Sequence, residues 1–400
     1  MLEQLNPRDA GQSSIMEEAF ALAFGDLPLE TVLALREGTA WRHFPHGGVA
    51  RYAPLLSIAV LDAYLRTDGA RSPRISMADD TREGSAGVPE QDFSLPDGRV
   101  DLPRLLRRFD AGASLVASQF HETHPPLGRF CRGLEKLFLH GCQTNIYLTP
   151  PKAQGFRSHF DTHDVMVLQV SGRKRWRVWD GQRMENPTRR TPWPGSMPPE
   201  GEPNIVMLEP GDALYIPRGV MHDASTEPGA PSLHITVGLL EPSWAQALRM
   251  LVDSDEVDAT PLRQAVPTWR LAEPEALASL LETLAEKLRG LGTAAHAERL
   301  SMLLLDQLAH DRQPLPARGL FLAELAAEAR MRLADGMHHH VAIGPDGTAS
   351  LHWTCGEIRL EPQQAEWLGP LTDGASAAEL GEGALEFMRR LMLDGLLEPA

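Results

Sequence analysis

Cysteine is nearly absent from these 400 residues; Cys131, Cys142 and Cys355 are the only three. So few, so far apart, exclude a disulfide framework and a CxxC metal knuckle, and each reads as a small buried hydrophobe or a spectator. Lysine is also scarce, limited to Lys136, Lys152, Lys174 and Lys287, so each one retained asks for a reason. No stretch approaches twenty uninterrupted apolar residues, which argues against a membrane span. The first thirty residues carry acids and Pro7 and lack the basic start and apolar core of a secretory leader. The expectation is a cytoplasmic protein without membrane association. Positive charge is short as well: a formal net charge of -16 disfavours a general nucleic-acid binder, since phosphate repels such a surface. A basic protein or peptide is the more natural partner.

What is present is ordinary globular composition, with 42% hydrophobic and 23% charged residues, at a length that suits two or three domains. From Pro7 to Leu139 helices mix with short strands, with helical patterns at Leu102 to Phe109 and Pro126 to Phe138. Ala78 to Asp92, holding Gly84, Gly87 and Pro89, reads as an exposed loop. Between Thr144 and Leu240 short runs rich in Val, Ile, Tyr and Trp alternate with Gly and Pro turns, an all-β segment. Its best hairpin is Asp164 to Trp179, turning at Ser171-Gly172. A proline-rich loop, Asn186 to Asn204, precedes strands at Ile205 to Leu208 and Ala213 to Ile216. Helical spacing then dominates at Trp244 to Asp253, Glu273 to Leu291 and Ala294 to His310. From about Pro316 the order reads helix (Phe321 to Met331), hairpin (His339 to Leu360, turning at Pro345-Asp346-Gly347), then helices at Pro362 to Leu368 and Ala377 to Gly395. His338, His339 and His340 read as a solvated turn with incidental metal affinity.

The chemistry centres on His159-Phe160-Asp161. On a strand, residues two apart share a face, so imidazole and carboxylate can meet one ion while Phe160 points away. Alone, an HxD triplet is weak in a chain with fifteen histidines. It gains weight from Glu209 to His222, where a turn feeds a strand and Pro217-Arg218-Gly219 then presents His222. Two histidines and one carboxylate on one octahedral face are the donor set of non-haem Fe(II). Zinc hydrolases use similar ligands, so the triad leaves the metal open. His163 shares the parity and reads as a pocket residue beside a triad already complete.

Lys174 is the second clue. Alternation along Arg173 to Trp179 puts Lys174, Trp176 and Val178 on one face and Arg173, Arg175 and Arg177 on the other. With Trp176 and Val178 facing the interior, Lys174 is buried and needs an anion. Parity places Asn145 and Tyr147 together on the strand Thr144 to Leu148, and a dicarboxylate would satisfy all three. His234 and Thr236, on the last strand of the segment, read as further donors to a cosubstrate or as satisfied core polar groups.

The run from Asn145 through His159, Asp161 and Lys174 to Trp179 resembles the JmjC-type ribosomal oxygenases of the cupin superfamily. The resemblance implies an α+β fold: a double-stranded β-helix barrel with flanking helices over 1-241, a helical dimerisation region over 242-315 and a C-terminal winged-helix-like module over 316-400. It implies Fe(II) on His159, Asp161 and His222, and 2-oxoglutarate as cosubstrate with its distal carboxylate on Lys174, fifteen places after the first ligand. It further implies O2 consumption, release of succinate and carbon dioxide, and hydroxylation of an arginine or histidine of a ribosomal protein by a homodimer. The winged-helix order invites a DNA-binding reading, but residues 316-400 hold six basic and thirteen acidic residues, so direct DNA binding is not expected. Two alternatives stay open: a tailoring oxygenase for a biosynthetic peptide or small molecule, and a non-catalytic cupin regulator that binds metal and ligand.

Overall fold

The computed structural model describes residues 14-83, 86-188, 190-191, 197-254, 262, 265-269, 274-310, 325-344, 346-353 and 356-400. The chain divides into two compact units, Met1–Leu240 and Glu241–Ala400. Among the described residues no helix is long and apolar enough to cross a membrane.

The first unit opens with helices α1 (Ile15–Phe24) and α2 (Leu29–Glu37), strand β1 (Arg42–Phe44), α3 (Ile58–Leu65) and β2 (Ile75–Ala78). Ser14 and Glu17 close a capping box on α1, satisfying N–H groups that the first turn leaves without partners. Then come α4 (Leu102–Asp110), β3 (Ser114–Ala117), α5 (Pro125–Phe138) and β4 (Gly141–Thr149). Proline starts α5, where its missing N–H costs nothing. The expected loop after Ala78 folds back along β2 instead: Val88 is buried and its N–H donates to the Met77 carbonyl.

Six further strands complete the unit: β5 (Asp164–Ser171), β6 (Lys174–Gln182), β7 (Asn204–Leu208), β8 (Ala213–Ile216), β9 (Val220–Thr226) and β10 (Ser232–Leu240). They form two antiparallel sheets. The larger runs β1-β8-β5-β10-β4-β3-β2 and the smaller β7-β6-β9. Val165 and Val167 of β5 pack with Trp176 and Val178 of β6 and with Leu214 and Ile216 of β8 in one apolar cluster. The alternate residues Met166, Leu168, Ile235 and Val237 join α1, α3 and α5 in a second, larger cluster. β5 is therefore covered on both faces, which is why its sequence is apolar almost throughout.

The expected hairpin between Asp164 and Trp179 is not formed. β5 pairs with β10 and β8, while β6 pairs with β7 and β9, so the Gly172 turn carries the chain from one sheet to the other. Gly172 has φ +65°, and a Cβ there would lie 2.2 Å from the Pro231 carbonyl oxygen. Local turn residues cannot distinguish a hairpin from this crossing; the choice lies with which strands lie alongside.

The second unit contains α6 (Trp244–Asp253), α7 (Pro274–Arg289) and α8 (Ala294–His310), then β11 (Arg330–Leu333), β12 (His339–Ile343), β13 (Ala349–Trp353), β14 (Gly356–Leu360), α9 (Pro362–Asp373), β15 (Ala375–Ser376), α10 (Ala377–Leu380), α11 (Ala384–Leu393) and β16 (Leu397–Pro399). The expected helix Phe321 to Met331 is corrected where it is described: Arg330 and Met331 begin a strand held between β15 and β16, with Met331 and Leu333 buried in alternation. The start of that helix and Pro316 lie outside the described residues. The expected hairpin is a three-stranded meander β12-β13-β14, with a second reversal between Trp353 and Gly356. The last helix is broken at Gly381 and Gly383, both at positive φ. The histidine run is not a solvated turn: His338 is 7% exposed, and His339 and His340 begin β12. Cys131 and Cys142 are buried; Cys355 lies outside the described residues.

Candidate metal centre and its cavity

His159 and His222 come together through the backbone. The His159 N–H donates to the His222 carbonyl at 3.0 Å and the His222 N–H to the His159 carbonyl at 2.7 Å. This is an isolated bridge, so the HxD triplet does not lie on the continuous strand that alternation implied. The facing survives: Phe160 is buried against Trp179 and Met221, leaving His159 and Asp161 to the other side. Gly219, at φ +79°, turns the chain into β9, and its N–H donates to the Asp161 carbonyl at 3.0 Å. One turn thus holds the carboxylate ligand and launches the strand bearing the second histidine.

The donor atoms of His159, Asp161 and His222 all lie within 4.8 Å of one another, and His222 Nε2 is 3.5 Å from Asp161 Oδ2. The tautomers follow from the partners. His159 Nδ1 sits 2.8 Å from the Arg157 carbonyl and His222 Nδ1 3.0 Å from the Val220 carbonyl. A carbonyl only accepts, so both Nδ1 atoms carry hydrogen and both Nε2 lone pairs remain for a metal. Burial, reinforced by His159, lowers the His222 pKa to about 4. Burial alone would raise the Asp161 pKa, but the neighbouring His159, His222 and His163 outweigh it and hold the carboxyl ionised. Neutral imidazoles and a charged carboxylate are the states a divalent ion needs.

A cavity of about 70 Å³, open to solvent at its mouth, runs from the triad to Lys174 and is lined also by Tyr147, Thr149, Trp176, His234 and Thr236. Lys174 is 4% exposed. Among the described residues its polar partner is the Thr149 hydroxyl, to which Nζ donates at 2.9 Å; that hydroxyl also accepts from Ser114 at 3.0 Å. Burial lowers the lysine pKa to about 7. Arg173 and Arg175 are exposed, as alternation requires. Tyr147 stacks on His234, ring centroids 4.9 Å apart, because the two are cross-strand partners on β4 and β10. Burial, with a smaller contribution from Asp161, raises the Tyr147 pKa, so the phenol stays a donor. Burial and then Lys174 push the His234 pKa well down.

Of the residues singled out from sequence, Tyr147, Lys174, His234 and Thr236 line the cavity with the triad. Asn145 does not line it; its carboxamide oxygen accepts from the Gln119 N–H at 3.1 Å. His163 also lies outside it, against Gly238 of β10. Thr149, which shares the parity of Asn145 and Tyr147, also lines the cavity; it lies one residue beyond the strand Thr144 to Leu148 expected from sequence. Asp223 was not expected either. It is 3% exposed, takes a bidentate grip from Arg177 at 2.8 and 2.7 Å, and accepts a hydrogen bond from Ser158. It thereby ties the segments carrying His159 and His222 to β6, a pairing visible in sequence only once the Arg177–Asp223 register is known.

The JmjC domain family model matches residues 118–247, a span that includes His159, Asp161, His222 and Lys174. The bifunctional lysine-specific demethylase and histidyl-hydroxylase NO66 of Culex quinquefasciatus is 30% identical over 316 residues, covering 75% of this chain and 46% of that protein. Ribosomal oxygenase 2 of Bos taurus is 30% identical over 275 residues, covering 62% of this chain and 57% of that one. The chain thus spans about half the length of these curated relatives. The crystal structure of the Escherichia coli ribosomal oxygenase YcfD superposes with a TM-score of 0.56 at 17% identity, covering 94% of this chain and 98% of that one, which shows the shared JmjC cupin fold. The matched segment, residues 118–247, is a JmjC domain, and it carries His159, Asp161, Lys174 and His222.

Proposed function

We propose that the protein is an Fe(II)- and 2-oxoglutarate-dependent oxygenase that hydroxylates an arginine or histidine side chain of a ribosomal protein. The observation that carries this is the buried Lys174 facing a cavity that also holds a three-ligand metal site. A buried ammonium whose described partner is a hydroxyl calls for an anion, and a diacid bridging metal and lysine supplies one.

The donor set fits Fe(II): two imidazole nitrogens and a carboxylate, with the rest of the coordination sphere left to substrate and oxygen. Bound there, iron and 2-oxoglutarate supply the oxidising chemistry, in which O2 is consumed and succinate and carbon dioxide are released. The protein's own residues bind and orient. Lys174 and Thr149, already joined by a hydrogen bond, would hold the distal carboxylate. Tyr147, His234 and Thr236 would wall the chain of the diacid, the Asn145 side chain hydrogen-bonds Tyr147, and Trp176 with Val165 and Val167 keeps the floor apolar. One solved YcfD complex contains cobalt and 2-oxoglutarate, which supports the same pair of ligands here.

The acidic balance favours a basic substrate such as a ribosomal protein. We further assign 1-241 as catalytic, 242-315 as a dimerisation region and 316-400 as a winged-helix-like packing module of a cytoplasmic homodimer. Exposed Trp244, Leu281 and Leu284 on α6 and α7 support a dimer contact. The test is to incubate iron-loaded protein with 2-oxoglutarate and a ribosomal-protein mixture, measuring succinate and mapping oxygen addition (+16 Da) on peptides. Succinate coupled to a modified Arg or His, lost in His159→Ala, is expected. Succinate without any modified ribosomal peptide refutes the substrate, and no succinate at all refutes the reaction.

A further inference from the structure

A second group of metal-binding side chains converges in the C-terminal unit: Asp306, His340 and His352. Strand register explains it. His340 lies opposite His352 across β12 and β13, and His352 lies opposite Glu357 across β13 and β14, so the three side chains form a row on one face of the meander. Helix α8 packs on β12 and β13 and sets Asp306 over that row. Asp306 Oδ1 is 3.1 Å from His340 Nε2 and 3.2 Å from His352 Nδ1, and Glu357 Oε2 is 3.5 Å from the same Nδ1. The two imidazoles stack, 5.0 Å apart and 18° from parallel. Bonds of about 2.0–2.1 Å to a tetrahedral zinc ion set neighbouring ligand atoms roughly 3.3 Å apart, and the three separations match that edge length. The side chains of His340 and His352 are 12% and 14% exposed, and that of Glu357 is 71% exposed. Three sheltered side chains and one exposed carboxylate are thus available.

We propose that Asp306, His340 and His352, closed by Glu357, form a structural zinc site that pins α8 to the three-stranded sheet. Two imidazoles favour zinc over the oxygen-seeking magnesium and calcium. Four protein ligands would leave no open position, so the site holds structure rather than performing chemistry. It shares no residue with the group His159, Asp161 and His222.

The test uses the untagged full chain carrying His159→Ala and His222→Ala, which removes the first metal site. After chelator stripping, the protein is dialysed against zinc chloride and its metal content measured, with cobalt(II) absorbance reporting coordination geometry. About one zinc per chain, a tetrahedral cobalt spectrum and a zinc-dependent rise in Tm are expected. Adding Asp306→Asn, which keeps the side chain's size, or His352→Gln should abolish all three while the circular dichroism spectrum stays unchanged. Absence of zinc binding in the two-histidine variant overturns the proposal and leaves a carboxylate shared between two imidazoles. Zinc retained by both Asp306→Asn and His352→Gln also overturns it, placing the ion elsewhere.

Discussion

Replacing Lys174 with methionine separates what the residue does for stability from what it does for function. The side chain is 4% exposed, and burial moves its pKa from 10.5 to about 7. At about 1.36 kcal/mol per pH unit, keeping it charged near neutrality costs on the order of 4 kcal/mol. Methionine has a similar length and no charge. After deducting the lost bond to Thr149 and the relaxation of a real interior, Lys174→Met should be more stable than the native chain by about 1–3 kcal/mol without ligand. With 2-oxoglutarate the order inverts, because the distal carboxylate would be buried without a cation, at a cost on the order of 3–5 kcal/mol. That corresponds to roughly a hundred- to several-thousand-fold weaker binding. Calorimetric unfolding with and without 2-oxoglutarate, with an inert divalent ion in the triad, reads both effects. A Lys174→Met protein that melts lower and binds 2-oxoglutarate as tightly as the native chain refutes the reasoning and makes Lys174 a structural cation.

The same lysine predicts a pH signature. Between about pH 7 and 10.5 the unfolded chain binds a proton that the folded chain lacks, so this group's destabilisation is complete below pH 7 and is relieved as pH rises through that window. Binding a diacid restores the charge, so titration calorimetry in buffers of differing ionisation enthalpy should show uptake of roughly 0.9 proton at pH 8 and about 0.1 at pH 6. Equal uptake at both values excludes Lys174 as the titrating partner. Asp223→Asn keeps the shape but removes the charge that Arg177 grips. We expect about 1–2 kcal/mol lower stability and metal affinity weakened roughly tenfold, measured by chelator competition, with no change in either refuting the clamp. Gly172→Ala would thrust a Cβ onto the Pro231 carbonyl, so a loss of at least about 2 kcal/mol is expected in denaturant unfolding, and a fully stable variant would show that the crossing turn is elastic.

Sequence reveals most where the physics is local. The ends of β8, α6 and α8 follow directly from apolar spacing and from caps such as Ser243. The convergence of His159, Asp161 and His222 was legible because it needs only two short segments, each with its own turn chemistry. What escaped needed partners far along the chain. Gly172 serves a hairpin or a sheet crossing equally well until β10 and β9 are known to flank β5 and β6. Asp223 looks like any acid beside a ligand until register sets it against Arg177. Asp306 gains meaning only when α8 is laid over a sheet about forty residues away in sequence, where His340 meets His352 across two strands.

That crossing at Gly172 also explains how the cavity acquires its length. Had β5 and β6 paired, Lys174 would lie beside the end of β5 in one continuous sheet, its stem against a neighbouring strand. Because β6 joins β9 instead, Val178 sits level with His222 and Lys174 level with Thr226. Four residues of extended strand hold these levels about 13 Å apart. The lysine stem and the ligand side chains each consume part of that span from opposite ends. The gap left between ammonium and triad suits a short molecule with an acid at each end, and both ends of the gap are fixed by one strand ladder. Placement of the cation relative to the candidate metal ligands is thus a property of the β6–β9 register, and a one-residue slip there would turn Lys174 out to solvent if β6 moved, or His222 away from Asp161 if β9 moved.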